Sequence, residues 1–284
     1  MLRPSRKNLL PIPLLFVLGC SSAEKPAAPG KDPKQEPTRI SLQLAPQPVE
    51  FAGADGWKLH GTLFVPQFMP NDPRYARGAV ICHPMLSKTR DTYVALASAL
   101  ADNNLIVLPY DPRGHGESTT GMDGKPRPGW KDHMEDTKED LAFWAGLVDD
   151  LAKVKEYLAA RKDVDPKRIA VVGASVGANA ALAFAVRDPD LAAVVLLSPG
   201  EDYRGIATFE SAGKLTHPLF VAMGEKDESS QTAPATIFEK AVKVEAKDKV
   251  LKRFPDGEHG TNLLAKHPEL AKDLTAWLVA RLAR

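Results

Sequence analysis

Across 284 residues, 37 lysines and arginines stand against 36 aspartates and glutamates, and no sustained basic run with interleaved aromatics occurs, so the charge footprint of a nucleic-acid binder is absent. A hydrophobic content of 44% supports a substantial core, and a single α/β domain of roughly 200 to 250 residues accounts for most of the length. Only two cysteines occur, Cys20 and Cys82, which excludes a disulfide framework and leaves no Cys/His cluster suited to structural zinc.

Arg3, Arg6 and Lys7 precede an apolar run from Leu9 to Leu18. That run is too short to span roughly 30 Å of hydrocarbon and reads as the core of an export signal. It ends Val17-Leu18-Gly19-Cys20, which resembles a bacterial lipobox. The resemblance implies cleavage before Cys20, diacylglycerol and further acyl chains such as palmitate on the mature N-terminus, and a stable membrane anchor. With Ser21 and Ser22 in place of a retention-type aspartate, it also favours the outer membrane. An ordinary signal peptide that contains a cysteine is the alternative, and Pro11 and Pro13 are unusual in either. From Ser21 to about Pro48 the chain is rich in Pro, Lys, Ala and Gln with little to bury, the composition of a disordered tether. The expected organisation is a lipoprotein signal peptide over 1–19, a lipid-anchored linker over 20–48 and one folded domain over 49–284.

Within that domain, Val49 to Gly53 and Trp57 to Val65 alternate as two strands joined by Ala54-Asp55-Gly56, where Asp-Gly is a strong hairpin signal. Short apolar runs then alternate with helical stretches. Strands are expected at Ala79 to Cys82, Leu105 to Pro109, Arg168 to Val172, Ala192 to Leu197, Pro218 to Ala222 and Val250 to Phe254. Helices are expected at Thr92 to Asp102, Leu141 to Arg161, Val176 to Val186, Pro234 to Val242 and Pro268 to Leu282. The alternation implies parallel βα units. In the second helix Leu141, Trp144, Leu147, Val148, Leu151, Val154 and Leu158 recur at spacings of three and four, an apolar face to lay on a sheet.

The β-branched run Ile169 to Val172 is followed at once by Gly173-Ala174-Ser175-Val176-Gly177 and then by an alanine-rich helix. A serine in G-x-S-x-G sits in a strained strand-to-helix turn, its oxygen above the sheet and the glycines admitting close backbone approach. The helix start aims N–H groups at the place where an oxyanion forms. A structural serine in an ordinary βα turn is the bland alternative.

With this elbow, and with Asp111-Pro112-Arg113-Gly114-His115-Gly116-Glu117-Ser118 matching a D-x-R-G-H-G-x-S turn, the chain resembles the α/β-hydrolase superfamily of serine esterases and lipases from about Val49 onward. The resemblance implies a mostly parallel twisted sheet of about eight strands with helices on both faces and little or no cap domain. Asp111, Arg113 and His115 are read as structural, bonding backbone around a sharp turn. Ile81-Cys82-His83-Pro84-Met85 stands where such enzymes carry their first oxyanion residue, and Pro84 has no N–H, so the N–H groups of Met85 and Val176 are the expected oxyanion hole. Cys82 reads as a small buried hydrophobe rather than a nucleophile.

Acid and base follow the serine in that order. Gly224-Glu225-Lys226-Asp227 ends a buried strand and resembles the G-x-x-D segment that carries the acid, so Asp227 is the choice, with Glu225 and Asp202 as competitors. His259, in the glycine-bounded loop Pro255 to Gly260 after the next strand, is the base. His83 and His115 are placed near the site, shaping it. The expected chemistry is ester hydrolysis through an acyl-enzyme, needing no cofactor and no metal. Its partners are a small-molecule ester and, through Cys20, the membrane; the oligomeric state is not read from the sequence.

An exported peptidase or amidase on the same fold, and a non-catalytic surface-binding lipoprotein, are the other readings. A serine at 175, rather than cysteine or aspartate, argues against dienelactone-type and haloalkane-type chemistry. The stretch from Pro199 to His217 is too short for a large lid. The loop from Thr119 to Asp140 is placed over the pocket, with Trp130 either lining it or anchoring the loop.

Overall fold

The computed structural model of the protein describes residues 45–66 and 76–283. Cys20, the apolar run before it and most of the expected tether lie outside the described residues.

The strands are β1 (Gln47–Ala52), β2 (Trp57–Leu63), β3 (Arg77–His83), β4 (Ile106–Asp111), β5 (Thr120–Gly121), β6 (Val164–Ala174), β7 (Ala193–Leu197), β8 (Asp202–Tyr203), β9 (Ile206–Ala207), β10 (Leu219–Gly224) and β11 (Lys249–Phe254). The helices are α1 (Val94–Asp102), α2 (Lys138–Ala159), α3 (Val176–Arg187), α4 (Phe209–Lys214), α5 (Ala233–Lys240), α6 (Asn262–Lys266) and α7 (Pro268–Leu282).

β1 and β2 form the antiparallel hairpin that Asp-Gly predicts, with Ala52 opposite Lys58. Asp55 and Gly56 both turn at positive φ, 52° and 72°, a conformation that aspartate tolerates and glycine adopts freely. Among the described residues the main sheet runs β1-β2-β4-β3-β6-β7-β10-β11, with the short β5 attached to β2. β2 is antiparallel to β4, and every pairing from β4 to β11 is parallel. The six parallel strands are the six apolar runs read from the sequence.

The central strands are near-continuous apolar runs because both of their faces are covered. Ile81, Val171 and Leu196 point to the face packed by α2 and α3, while Val80, Val172 and Val195 point to the face packed by α1 and α7. Burial of a side chain of this size contributes ~1.5–3 kcal/mol, so the two layers are the main source of stability.

α2 begins three residues before its expected start. Thr137 Oγ1 accepts from Asp140 N at 3.2 Å and Asp140 Oδ2 accepts from Thr137 N at 3.0 Å, a reciprocal cap that fixes the first turn. The apolar face lies on the sheet as expected except for Leu141, which at the solvent-facing start of the helix is 40% exposed. Trp144 anchors the face, fully buried and donating its indole N–H to His133 O at 2.7 Å.

The chain leaves β3 toward β4 on one side and leaves β6 toward β7 on the other, so the carboxyl ends of β3 and β6 sit at the point where strand order reverses. In open α/β sheets that is where ligands bind. The segment between β7 and β10 holds only the β8–β9 hairpin and α4, so no cap domain covers this end among the described residues. Nor is any described helix long and apolar enough to cross a membrane.

Candidate active site

Ser175 stands between β6 and α3 with φ 52° and ψ −121°, a conformation that costs a non-glycine residue ~1–3 kcal/mol. Hydrogen bonds on both sides hold it there. Its N–H donates to Leu197 O of β7 at 2.9 Å, and its carbonyl accepts from Ala178 N at 2.8 Å and Asn179 N at 3.0 Å. The flanking glycines are required by contact: a Cβ on Gly173 would overlap Gly177 O, and one on Gly177 would meet His83 Nδ1 at 2.5 Å and Pro84 O at 2.6 Å. The helix start is thereby pressed against the ends of both β3 and β6, as the close-approach argument for G-x-S-x-G expects.

Two loops, one after β10 and one after β11, meet beside this turn. Glu225 N donates to Phe254 O at 2.7 Å and Lys226 N to Asp256 O at 2.8 Å, while a Cβ on Gly224 would come within 2.7 Å of Glu258 O. Zipped in this way, the loops bring Asp227 Oδ2 to 2.7 Å from His259 Nδ1. Ser230 Oγ donates to the same oxygen at 2.6 Å, and Ser229 N donates to Oδ1 at 3.0 Å. Burial opposes the Asp227 charge, but the hydrogen bonds from Ser230 and His259 outweigh it and hold the carboxyl below the usual range. An ionised Asp227 fixes the His259 tautomer, with the proton on Nδ1 and a lone pair on Nε2. Neither competing acid is the partner of His259 Nδ1: Glu225 faces solvent, and Asp202, on the wall of the same cavity, accepts from Gly205 N at 2.9 Å through Oδ1. The His259 loop is braced from behind by His267, whose Nε2 lies 2.7 Å from Asp256 Oδ2 and whose ring stacks on Phe254.

Ser175, His259, Met85 and Val176 line one cavity of ≈ 390 Å³, large enough for a small organic molecule. The far wall is Gly200, Asp202 and Tyr203. Asn179, one turn into α3 from Ser175, holds that wall: its Oδ1 accepts from Gly200 N at 2.9 Å and its Nδ2 donates to Ile206 O at 3.1 Å. The sequence carried signals for both supports. Asn179 is a lone amide in an alanine run, and Ser230 lies three residues after the acid, where it can bond the aspartate side chain. Met85 is seated by the histidine loop, since Gly260 (φ 57°) leaves 2.6 Å between a notional Cβ and Met85 Sδ. Val176 opens α3, where the first N–H groups have no partner within the helix.

The charged side chains of the D-x-R-G-H-G-x-S turn are tied to the structure around it. Asp111 accepts from the Arg90 guanidinium, from Arg90 N at 2.8 Å and from Glu117 N at 3.0 Å. Arg113, 2% exposed, makes a two-pronged pair with Asp150 at 2.7 and 2.8 Å. His115 Nδ1 lies 2.9 Å from Arg113 O and its ring stacks on Trp130 at 5.8 Å. Trp130 therefore anchors its loop and is not part of the cavity wall, and the loop packs beside β2 through β5 instead of hanging over the pocket. His83 is buried under the strand end, with Nδ1 2.9 Å from Pro84 O and its pKa pushed down to about 4 by burial. Cys82 is fully buried, which raises its thiol well above the usual range, as a small hydrophobe would be. Among the described residues no group of three His, Cys, Asp or Glu is arranged to hold a metal ion.

The sequence pattern of the dienelactone hydrolase family matches residues 120–274, more than half of the chain. This chain belongs to that family. The matched segment contains Ser175, Asp227 and His259 and starts after Met85. The match runs against the expectation that serine at position 175 argues away from dienelactone-type chemistry: the side chain at 175 bears on which atom attacks, and the scaffold around it is that of the dienelactone hydrolase family. An uncharacterised protein of Mycobacterium tuberculosis is 28% identical over 231 residues, covering 75% of this chain and 72% of its own length. A dienelactone hydrolase of Anabaena variabilis superposes with a TM-score of 0.62 at 17% identity, over 85% of this chain and 99% of that one. An esterase of Pyrococcus furiosus gives 0.61 at 18% identity, over 82% and 91%. Both share the α/β-hydrolase fold seen here.

Proposed function

We propose that this hydrolase cleaves carboxylic esters of small molecules through an acyl-enzyme intermediate. Ser175 Oγ attacks the scissile carbonyl carbon while His259 Nε2 takes its proton, and the N–H groups of Met85 and Val176 donate to the oxygen that becomes negative. The alcohol departs with the proton held by His259. Water, deprotonated by the same nitrogen, then attacks the acyl carbon, and collapse frees the carboxylic acid and restores the serine. Asp227 keeps Nδ1 protonated and stabilises the imidazolium between the two steps.

The observation that carries the reading is the 2.7 Å bond between His259 and Asp227 at the edge of a cavity that the strained Ser175 also lines. A buried acid, an imidazole with one nitrogen committed and one free, and a serine at a helix start are the parts that acyl transfer requires, and a binding module has no need of the strain at Ser175. The test is turnover of a panel of p-nitrophenyl acetate, longer acyl esters and aminoacyl amides by wild type and Ser175→Ala. The reading expects ester hydrolysis that Ser175→Ala abolishes; preferential cleavage of the amides would make the protein a peptidase, and a folded wild type inert on every member would remove the enzyme reading. We further propose export and lipid anchoring at Cys20, on the outer membrane. Cys20→Ser is expected to move the protein from the membrane fraction to the soluble one, and persistence in the membrane would contradict the anchor.

A further inference from the structure

The cavity carries a charge that acyl transfer does not use. Among its lining residues no lysine or arginine occurs, and beyond the catalytic groups the one ionisable carboxyl is that of Asp202. Asp202 is solvent-exposed, but its side chain is tied at one oxygen. Its Oδ1 caps the hairpin turn by accepting from Gly205 N at 2.9 Å, which leaves Oδ2 uncommitted. The hairpin itself is clamped at both ends, by Asn179 on Gly200 N and Ile206 O and by Thr208 Oγ1 donating to Gly200 O at 2.7 Å. The cation of the hairpin, Arg204, is not among the lining residues: its guanidinium lies 6.0 Å over the Tyr203 ring, pairs with Asp136 and donates to Met134 O at 2.8 Å in the loop before α2. Met85, Leu86, Val176 and Tyr203 give the wall apolar surface, and Ser229 adds an uncharged polar group.

Resting on the ester-hydrolase reading above, we propose that Asp202 selects substrates by charge: esters bearing a cationic group, such as an ammonium, close to the scissile carbonyl are favoured and anionic esters are rejected. The physical basis is Coulombic. A unit charge held at roughly 6 Å from a carboxylate changes affinity by about threefold in a water-like medium and by about a hundredfold at the effective dielectric of a protein surface, so a half-open cavity gives on the order of tenfold. Because the acid is held in place before substrate arrives, little of that attraction is spent on ordering the side chain.

Isosteric ester pairs that differ only in charge read the effect. Butyrylcholine against 3,3-dimethylbutyl butyrate puts the charge on the alcohol side; betaine methyl ester against methyl 3,3-dimethylbutanoate puts it on the acyl side. For each pair the ratio of kcat/KM, cationic over neutral, is measured in wild type, Asp202→Asn and Asp202→Lys at low ionic strength. Dividing by the Asp202→Asn ratio removes intrinsic reactivity, and asparagine retains the oxygen that accepts from Gly205 N. The ratio is expected to fall about tenfold in Asp202→Asn for at least one pair, to fall further in Asp202→Lys, and to shrink with added salt. Neutral esters turned over by wild type, with ratios unmoved by either substitution, would overturn the charge selection and leave the hydrolase reading standing. Wild type active on p-nitrophenyl acetate but inert on all four esters would also overturn the charge selection alone, and wild type inert on p-nitrophenyl acetate as well would overturn both.

Discussion

The turn from Asp111 to Ser118 and the grouping of Ser175, Asp227 and His259 are both dense in charged and polar residues, and both are legible as motifs, yet the structure uses them in opposite ways. In the turn the polar side chains are answered by other protein groups: Asp111 by Arg90 and Glu117 N, Arg113 by Asp150, and Ser118 Oγ by Asp111 O and His60 N. In the other grouping only the acid is fully answered, its Oδ1 by Ser229 N and its Oδ2 by Ser230 Oγ and His259. Asp227 holds His259 through Nδ1, while the opposite ring nitrogen and the serine are left to the cavity. A specific motif thus marks a required geometry, and what separates a structural motif from a chemical one is whether its hydrogen-bonding capacity is already spent.

That contrast is open to attack from both sides. On the chemical side, Ser175→Ala is expected to cut ester kcat by roughly a million-fold while thermal unfolding stays within a few degrees of wild type, since the side chain faces the cleft; loss of folding would mean the serine is structural after all. Asp227→Asn comes next, with kcat down by roughly ten-thousandfold because the amide imposes the wrong tautomer on His259. A mild effect in steady-state kinetics would hand the acid's role to another carboxylate. On the structural side, Arg113→Ala leaves the buried Asp150 without its cation and should lower unfolding free energy by ~3–5 kcal/mol in urea titration, with activity per folded molecule largely kept. A catalytic defect without a stability defect would place Arg113 in the chemistry instead.

The smallest expected effect concerns His83. Burial depresses its pKa to about 4 against an ordinary 6.5, so the unfolded chain binds a proton over that interval that the native state refuses. Stability is therefore fully present above about pH 6.5 and is lost as pH falls toward 4, by on the order of 3 kcal/mol from this group. His83→Asn retains a donor for Pro84 O and should flatten that part of the stability-versus-pH curve; an unchanged slope would show that the native ring takes up its proton without cost.

Much of this was written in the sequence. Six parallel strands were readable because strands covered on both faces become unbroken apolar runs, and the α3 start because G-x-S-x-G admits few geometries. The hairpin β8–β9, helices α4 and α6 and strand β5 were not readable: each has two to six residues, fewer than either period needs to declare itself, and each is held by contacts distant in sequence, such as Asn179 with Ile206 O. The early start of α2 was legible in Thr137 and Asp140 but was outweighed by the apolar stripe. Leu141 was misread for the same reason, because periodicity continues past the point where the sheet ends. Asp227 over Asp202 and Glu225 followed from resemblance, and the geometric cause appears only in the zipped loops that bring it to His259.

The most direct test is covalent. A fluorophosphonate reacts with a serine only where an activated oxygen and an oxyanion site coincide, so intact-mass analysis followed by peptide mapping reads the proposed site without assuming a substrate. One adduct per chain is expected, on the peptide containing Ser175, lost in Ser175→Ala and strongly slowed in His259→Ala. A folded wild-type protein that stays unmodified, or that carries its adduct on another serine, would contradict the assignment.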